Sequence, residues 1–210
     1  MINIFRITFL LSLIFTLDEG LLYDLNFRGY NAGESMLSIK KDSIDIESNY
    51  YLTSIIKTNK FLDRFYKIRD RVDVILNDED FSIIKVEKKL NQGGKKTNFT
   101  SIIDQENLTA SSNNKTISIP GRVFDPLGAI YYLRNQNIAV GDTFELTTYD
   151  NDKLKNLFIV AKDIETVSTS IGNFECIVLT PQSKDGKLLK NKGSMTVWLS
   201  NDEKKIPVKI

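Results

Sequence analysis

The chain has 210 residues, 41% of them hydrophobic and 26% charged, with a formal net charge of +1. Those values suit one ordinary globular core, and the balanced charge gives no footprint for a phosphate backbone, so nucleic acid is not an expected partner. The sequence contains no His and one Cys. That excludes Ser-His and Cys-His nucleophile arrangements, the usual Cys/His zinc sites and an intramolecular disulfide, and no cofactor is expected.

Residues Ile7 to Leu17 form an apolar run behind Arg6, ended by Asp18 and Glu19. A run of this length after a positive charge reads as a secretory signal and is too short to span a bilayer. No small-x-small triplet precedes Asp18, so residues 1–18 are expected to be either a signal peptide or a short N-terminal anchor. No Cys follows the run, which argues against a lipoprotein. Residues 19–210 are expected to form a single β-rich domain.

From Leu22 to Arg28 the residues alternate, with Tyr23, Leu25 and Phe27 on one face, as in a half-buried strand. Gly29 to Gly33 break the pattern, and Glu34 to Lys40 resume it with Ser35, Leu37 and Ile39 on one side, which predicts a hairpin. Segments 49–58, 68–76 and 81–90 are rich in β-branched and aromatic residues and predict further strands. Lys60 to Tyr66 fits a short helical turn or a continued strand. Asn77-Asp78-Glu79-Asp80 reads as a polar turn, since it lacks the alternating ligands and central Gly of a calcium loop. Segments within 95–119 give short strands joined by Asn and Ser turns, and the sequons at Asn98, Asn107 and Asn114 are read as chance occurrences.

Asp125 to Asn135 predicts the clearest helix, with Asp125 as N-cap, Pro126 in the first helical position, and Ala129, Ile130 and Leu133 as the apolar stripe. Strands are expected again at 143–149, 154–161, 164–169, 173–180 and 194–200. The run Phe174 to Leu179 is apolar on both faces except at Glu175, as in a central strand, and makes Cys176 an inert core thiol. Many short strands with one helix and no βαβ alternation predict a mainly β fold, an antiparallel curved sheet or a barrel-like structure with one short helix.

Several motifs occur together in order. They are Leu22-Tyr23-Asp24-Leu25-Asn26-Phe27 with Ala32-Gly33-Glu34, Tyr66 to Val72, Asp125 to Arg134 with Gly141-Asp142, Ile171 to Cys176, and Val197 to Asp202 leading to Ile206-Pro207-Val208-Lys209-Ile210. In this order they resemble the bacterial family called domain of unknown function 3108. The resemblance implies an exported envelope protein, in the periplasm or at the outer-membrane periphery of a Gram-negative-type bacterium, and assigns no activity. Members of that family continue past the Pro-Val-Lys-Ile segment into a closing hairpin. The stop at Ile210 therefore implies a truncated C-terminus with an unpaired last strand.

The scarce Arg residues are the more informative cations in a Lys-rich chain. Arg69 and Arg71 share one face of a strand and could grip a carboxylate, phosphate or lipid head group, or else form cross-strand ion pairs. Arg134 suits the helix C-terminus, and Tyr131 and Tyr132 could line a cavity mouth or pack half-buried. Trp198 reads as a core or sheet-face aromatic. The expected function is a non-enzymatic envelope binding or scaffold protein for a lipid, glycan or peptide, with Arg69, Arg71, Arg134, Tyr131 and Tyr132 as candidate ligand contacts. The alternative is a hydrolase of envelope polymer working with carboxylates alone, for instance Glu34 and Asp70 converging as acid and base. A purely structural assembly subunit would instead expose a large apolar patch.

Overall fold

The computed structural model describes residues 2–4, 18–42, 48–182 and 195–210. The apolar run at 7–17 lies outside the described residues. Two antiparallel sheets are formed. The first has nine strands in sequence order: β1 (Ile2–Ile4), β2 (Glu19–Phe27), β3 (Tyr30–Asp42), β4 (Asn49–Thr58), β5 (Arg69–Asn77), β6 (Ile83–Gln92), β7 (Lys95–Asp104), β8 (Thr109–Ser112) and β9 (Thr116–Ser118). The second has five: β10 (Thr143–Asp150), β11 (Lys153–Thr169), β12 (Gly172–Gln182), β13 (Val197–Ser200) and β14 (Pro207–Lys209). Among the described residues one α-helix, α1 (Gly128–Arg134), lies between them in sequence. The sheets are curved and do not close into a barrel. No helix among the described residues is long and apolar enough to cross a membrane.

Alternation decides which face of each strand is buried. One inward row runs Ile39, Leu52, Val74, Val86 and Ser101 across β3 to β7, and the next runs Leu37, Ser54, Val72, Lys88 and Phe99. Their neighbours along each strand face the other way. The inward face of the first sheet forms one core cluster with Tyr131 of α1 and with Tyr149, Val167, Cys176 and Val208 of the second sheet. A second cluster joins Ala129, Ile130 and Leu133 of α1 to Leu146, Ile159, Ala161, Ile177, Leu179, Val197 and Leu199. The short helix is thus a wedge with one side on each sheet, held by packing because seven residues are too few to be stable alone. At its start, a Cβ on Gly128 would come within 2.8 Å of the buried Leu76 side chain, so the glycine permits the close approach to the first sheet.

The helix is shorter than the expected 125–135, although Asp125 still works as its cap. The Asp125 carboxylate accepts hydrogen bonds from the Leu127 N–H at 2.8 Å and the Gly128 N–H at 3.4 Å, and its carbonyl accepts one from the Ala129 N–H. The turn over Pro126 and Leu127 precedes the regular helix. Strands expected at 154–161 and 164–169 are one strand, β11, interrupted by a bulge between Ala161 and Asp163. Residues Leu62–Arg64 form a single 3-10 turn. In the polar turn before β6, Asn77 Oδ1 accepts the backbone N–H groups of Glu79 and Asp80, an Asx-type closure.

β12 is a central strand, flanked by β11 and β13, and Cys176 on it is a fully buried free thiol whose pKa burial pushes up to about 11. The expectation of an unpaired last strand is corrected. β14 pairs with β13 through Trp198–Lys209 and Leu199–Pro207, and the Tyr23 hydroxyl donates to the Pro207 carbonyl at 2.7 Å, tying the C-terminal strand to the first sheet. Trp198 is half-buried on the sheet face, its indole N–H donating to Glu165 at 2.8 Å and the Lys209 ammonium 4.0 Å from its ring centre.

Candidate ligand-binding cleft

A cavity of about 300 Å³ opens between α1 and the second sheet. Its floor follows from side-chain alternation on β10 and β11. Paired residues Leu146–Leu157, Thr148–Lys155 and Asp150–Lys153 sit in successive rows on the face turned toward the helix. The lining therefore grades along the strands from aliphatic to polar to charged. Ala129, Ile130 and Leu133 of α1 close one wall, and Leu179 and Val197 extend the apolar floor across β12 and β13. Lys153 and Lys155 are exposed at the polar end. The shape is an apolar slot with two cations at its mouth.

Beside that mouth lies a polar cluster that is buried at Lys88, Ser101 and Asp125 and partly exposed at Asp150. Lys88 reaches from the inward face of the first sheet to pair with Asp150, its ammonium 6.0 Å from the Phe99 ring centre. Asp125, buried beside them, has its pKa raised because burial penalises the charge, while Lys88 and the N–H groups of Leu127 and Gly128 pull the other way. The Tyr149 hydroxyl lies 2.8 Å from Ser101 Oγ and donates to Asp152 at 3.0 Å, and burial first, with Asp152 adding, pushes its pKa up to about 12. The Lys88–Asp150 and Ser101–Tyr149 contacts cross from one sheet to the other and fix the position of the β10–β11 hairpin that carries Lys153 and Lys155. Among the described residues, no three acidic or thiol side chains gather as a metal-ligand set.

None of the five candidate contact residues lines this cleft. Arg69 makes a bidentate pair with Asp63, at 3.0 and 2.6 Å, and also donates to the Thr58 and Ile68 carbonyls. Arg71 makes a bidentate pair with Asp73 at 2.6 and 2.7 Å on the outer face of the first sheet. Arg134 and Tyr131 are brought together by Glu19. The guanidinium donates to both Glu19 carboxylate oxygens at 2.6 and 2.8 Å and lies 4.9 Å from the Tyr131 ring centre, and the Tyr131 hydroxyl donates to Glu19 at 3.4 Å. Tyr132 packs on Phe124 with ring centres 4.8 Å apart. Each of these side chains is occupied by a partner within the fold.

Glu34 and Asp70 do not converge. Glu34 is in register with Lys57 and Arg69 and pairs with Lys57 at 2.7 Å, whereas Asp70 is in register with Ile56 and Ser35 on the opposite face. Asp70 is buried and accepts hydrogen bonds from the Asn91 N–H at 2.9 Å and the Gln92 side chain at 2.5 Å. The residues that do form the cleft mouth, Lys153 and Lys155, are Lys in a Lys-rich chain. Their sequence signal is the same-face series Lys153, Lys155, Leu157, Ile159, which passes from charged to aliphatic along one strand.

Comparison with curated proteins and with solved structures found no match. The model of the family described as "Protein of unknown function (DUF3108)" matches residues 22–210, nearly the whole chain and all but the first few residues of the two sheets. The chain belongs to this family.

Proposed function

We propose that this chain is a non-enzymatic binding domain of the bacterial cell envelope, and that the cleft between α1 and the second sheet takes the apolar part of a lipid-like ligand with an anionic head. The observation that carries the reading is the graded lining of the cleft, aliphatic inside and dibasic at the mouth. Its volume of about 300 Å³ sits at the lower end of small-molecule pockets, and a mostly apolar lining with a few polar groups at one end is what such pockets use to fix an orientation. A glycan would call for more donors and acceptors than Thr148, Asp150, Lys153 and Lys155 supply. The apolar run behind Arg6 supports an envelope location. The carboxylate-hydrolase alternative has less support, since Asp150 is the one carboxylate on the cleft wall and it is already paired with Lys88.

The test is displacement of a fluorescent fatty-acid probe, combined with native mass spectrometry of the purified protein. Leu157→Trp is expected to fill the slot and abolish probe binding, and Lys153→Glu with Lys155→Glu to weaken it for acids while sparing a neutral alcohol analogue. A wild-type protein that neither retains lipid nor binds the probe, or a Leu157→Trp variant that binds it unchanged, would remove the reading.

A further inference from the structure

In an antiparallel meander every second connection falls at the same end of the sheet. The β2–β3, β4–β5 and β6–β7 connections of the first sheet do so, and hydrogen bonds join them into one surface. The Asn59 N–H donates to the Ala32 carbonyl at 2.9 Å, the Asn59 side chain donates to the Asn31 carbonyl at 2.7 Å, and the Gly93 N–H donates to the Lys67 carbonyl at 2.8 Å. The Tyr66 ring lies so close over Gly93 that a Cβ there would be 2.6 Å from it.

This end is aromatic and basic at once. Tyr30 is 76% exposed, Phe65 74% and Phe61 63%, with Tyr66 and Phe27 also exposed. The rings of Phe61 and Phe65 meet edge to face, 5.7 Å apart. Arg28, Lys60, Arg64 and Lys67 are exposed on these connections, and Lys95 and Lys96 are exposed at the start of β7 beside them. The one carboxylate among residues 27–31, 59–67 and 92–96, Asp63, is held by Arg69 and Thr58. Six cations against one engaged carboxylate stand out in a chain whose net charge is only +1. The rings are presented by a firm scaffold, since Asn59 Oδ1 caps the 3-10 turn at the Leu62 N–H, 2.9 Å away.

We propose that this end of the first sheet is a docking surface for an anionic lipid bilayer. Protruding aromatic rings enter the interfacial layer, where an amphipathic or apolar ring is more stable than in water, and the surrounding cations meet lipid phosphates. Strongly exposed rings at the connections of a sheet suit a deformable bilayer, and the charge excess selects an anionic one. The surface shares no residue with the cleft and stands independently of the reading given to it.

The experiment is flotation of the full chain with phosphatidylcholine vesicles lacking or containing phosphatidylglycerol, using wild type, Phe61→Ser/Phe65→Ser and Lys60→Glu/Arg64→Glu. The substituted side chains are exposed, and the apolar N-terminal run is common to all three proteins, so it cannot produce a difference between them. Wild type is expected to bind the phosphatidylglycerol vesicles, and each double variant to bind at least about tenfold more weakly. Binding is expected to fall at high salt, as for any exposed charge attraction. A Phe65→Trp reporter is expected to shift its emission to the blue on those vesicles only. Equal binding by the variants, or a Phe65→Trp emission that does not move, overturns the proposal. So does capture of a protein or nucleic-acid partner through these residues without vesicle binding.

Discussion

The Glu19–Arg134 pair joins the first residue of β2, the last of α1 and, through the Lys204 carbonyl, the turn before β14. Both side chains are largely enclosed, with 13% and 16% of their surface exposed. Burial works against the Arg134 charge and is the largest single influence on it, but the hydrogen bonds it donates to Glu19, together with the attraction of the Glu19 charge and of Tyr131 and Tyr23, outweigh it and hold the guanidinium pKa above its ordinary value. Removing one partner of a buried pair costs about 3–5 kcal/mol, because the other charge is left uncompensated, and the residual exposure here brings the expectation down to about 2–3 kcal/mol. For a domain of this size that corresponds to a melting temperature lower by roughly 4–12 °C. Glu19→Ala and Arg134→Ala should each show this loss in urea unfolding. The double variant should lose less than the sum by at least about 1 kcal/mol, since the second removal deletes a charge that the first had stranded. Single variants within about 0.5 kcal/mol of wild type, or losses that add in full, would refute the idea that this pair fastens the helix to the edge of the first sheet.

Substitutions at Asp125 and Gly33, with Gly20 as a control, probe other parts of the fold. The pKa of Asp125 is raised in the folded state by its burial, so the protein favours the protonated form, and native stability falls as pH rises from the ordinary carboxylate range through the folded value. Asp125→Asn keeps an acceptor for the helix cap without the charge. Its stability relative to wild type, read from urea midpoints, should therefore be greater at about pH 7 than at about pH 4, whereas Asp125→Ala should lose about 1–2 kcal/mol by uncapping α1. Gly33 lies at φ +154° with the Lys57 carbonyl oxygen 2.2 Å from where a Cβ would stand, so Gly33→Ala is expected to cost at least about 2 kcal/mol by thermal unfolding. Gly20→Ala on the neighbouring strand, with nothing within 4 Å of the added Cβ, is the matched control and should be far milder.

Period-two alternation made the strands legible in the sequence, because in a sheet with one buried face each residue's exposure follows from its parity. Leu37 and Ile39 on β3, and Leu52 on β4, are inward as their spacing implies. The Asp125-Pro126 start of the helical turn was equally local, since a cap is decided within four residues. Where two strands join across a bulge, as at Lys162 in β11, the change of parity looks from sequence like a break.

Strand content, the short helix after Asp125, the buried thiol of Cys176 and the family could all be read from the chain itself. All of these rest on local pattern or on the order of motifs along the chain. Which charges are spoken for depends on the packed fold. Arg69 and Asp63 are six residues apart and pair across a turn, Arg134 meets Glu19 from 115 residues away, and Lys88 meets Asp150 from 62. Nothing local distinguishes these cations from Lys153 and Lys155, which reach the cleft mouth instead. An ion pair is a statement about distance in space, and in an antiparallel fold of two sheets that distance is set by which strands and which sheet faces come to lie opposite each other, which no stretch of chain records alone.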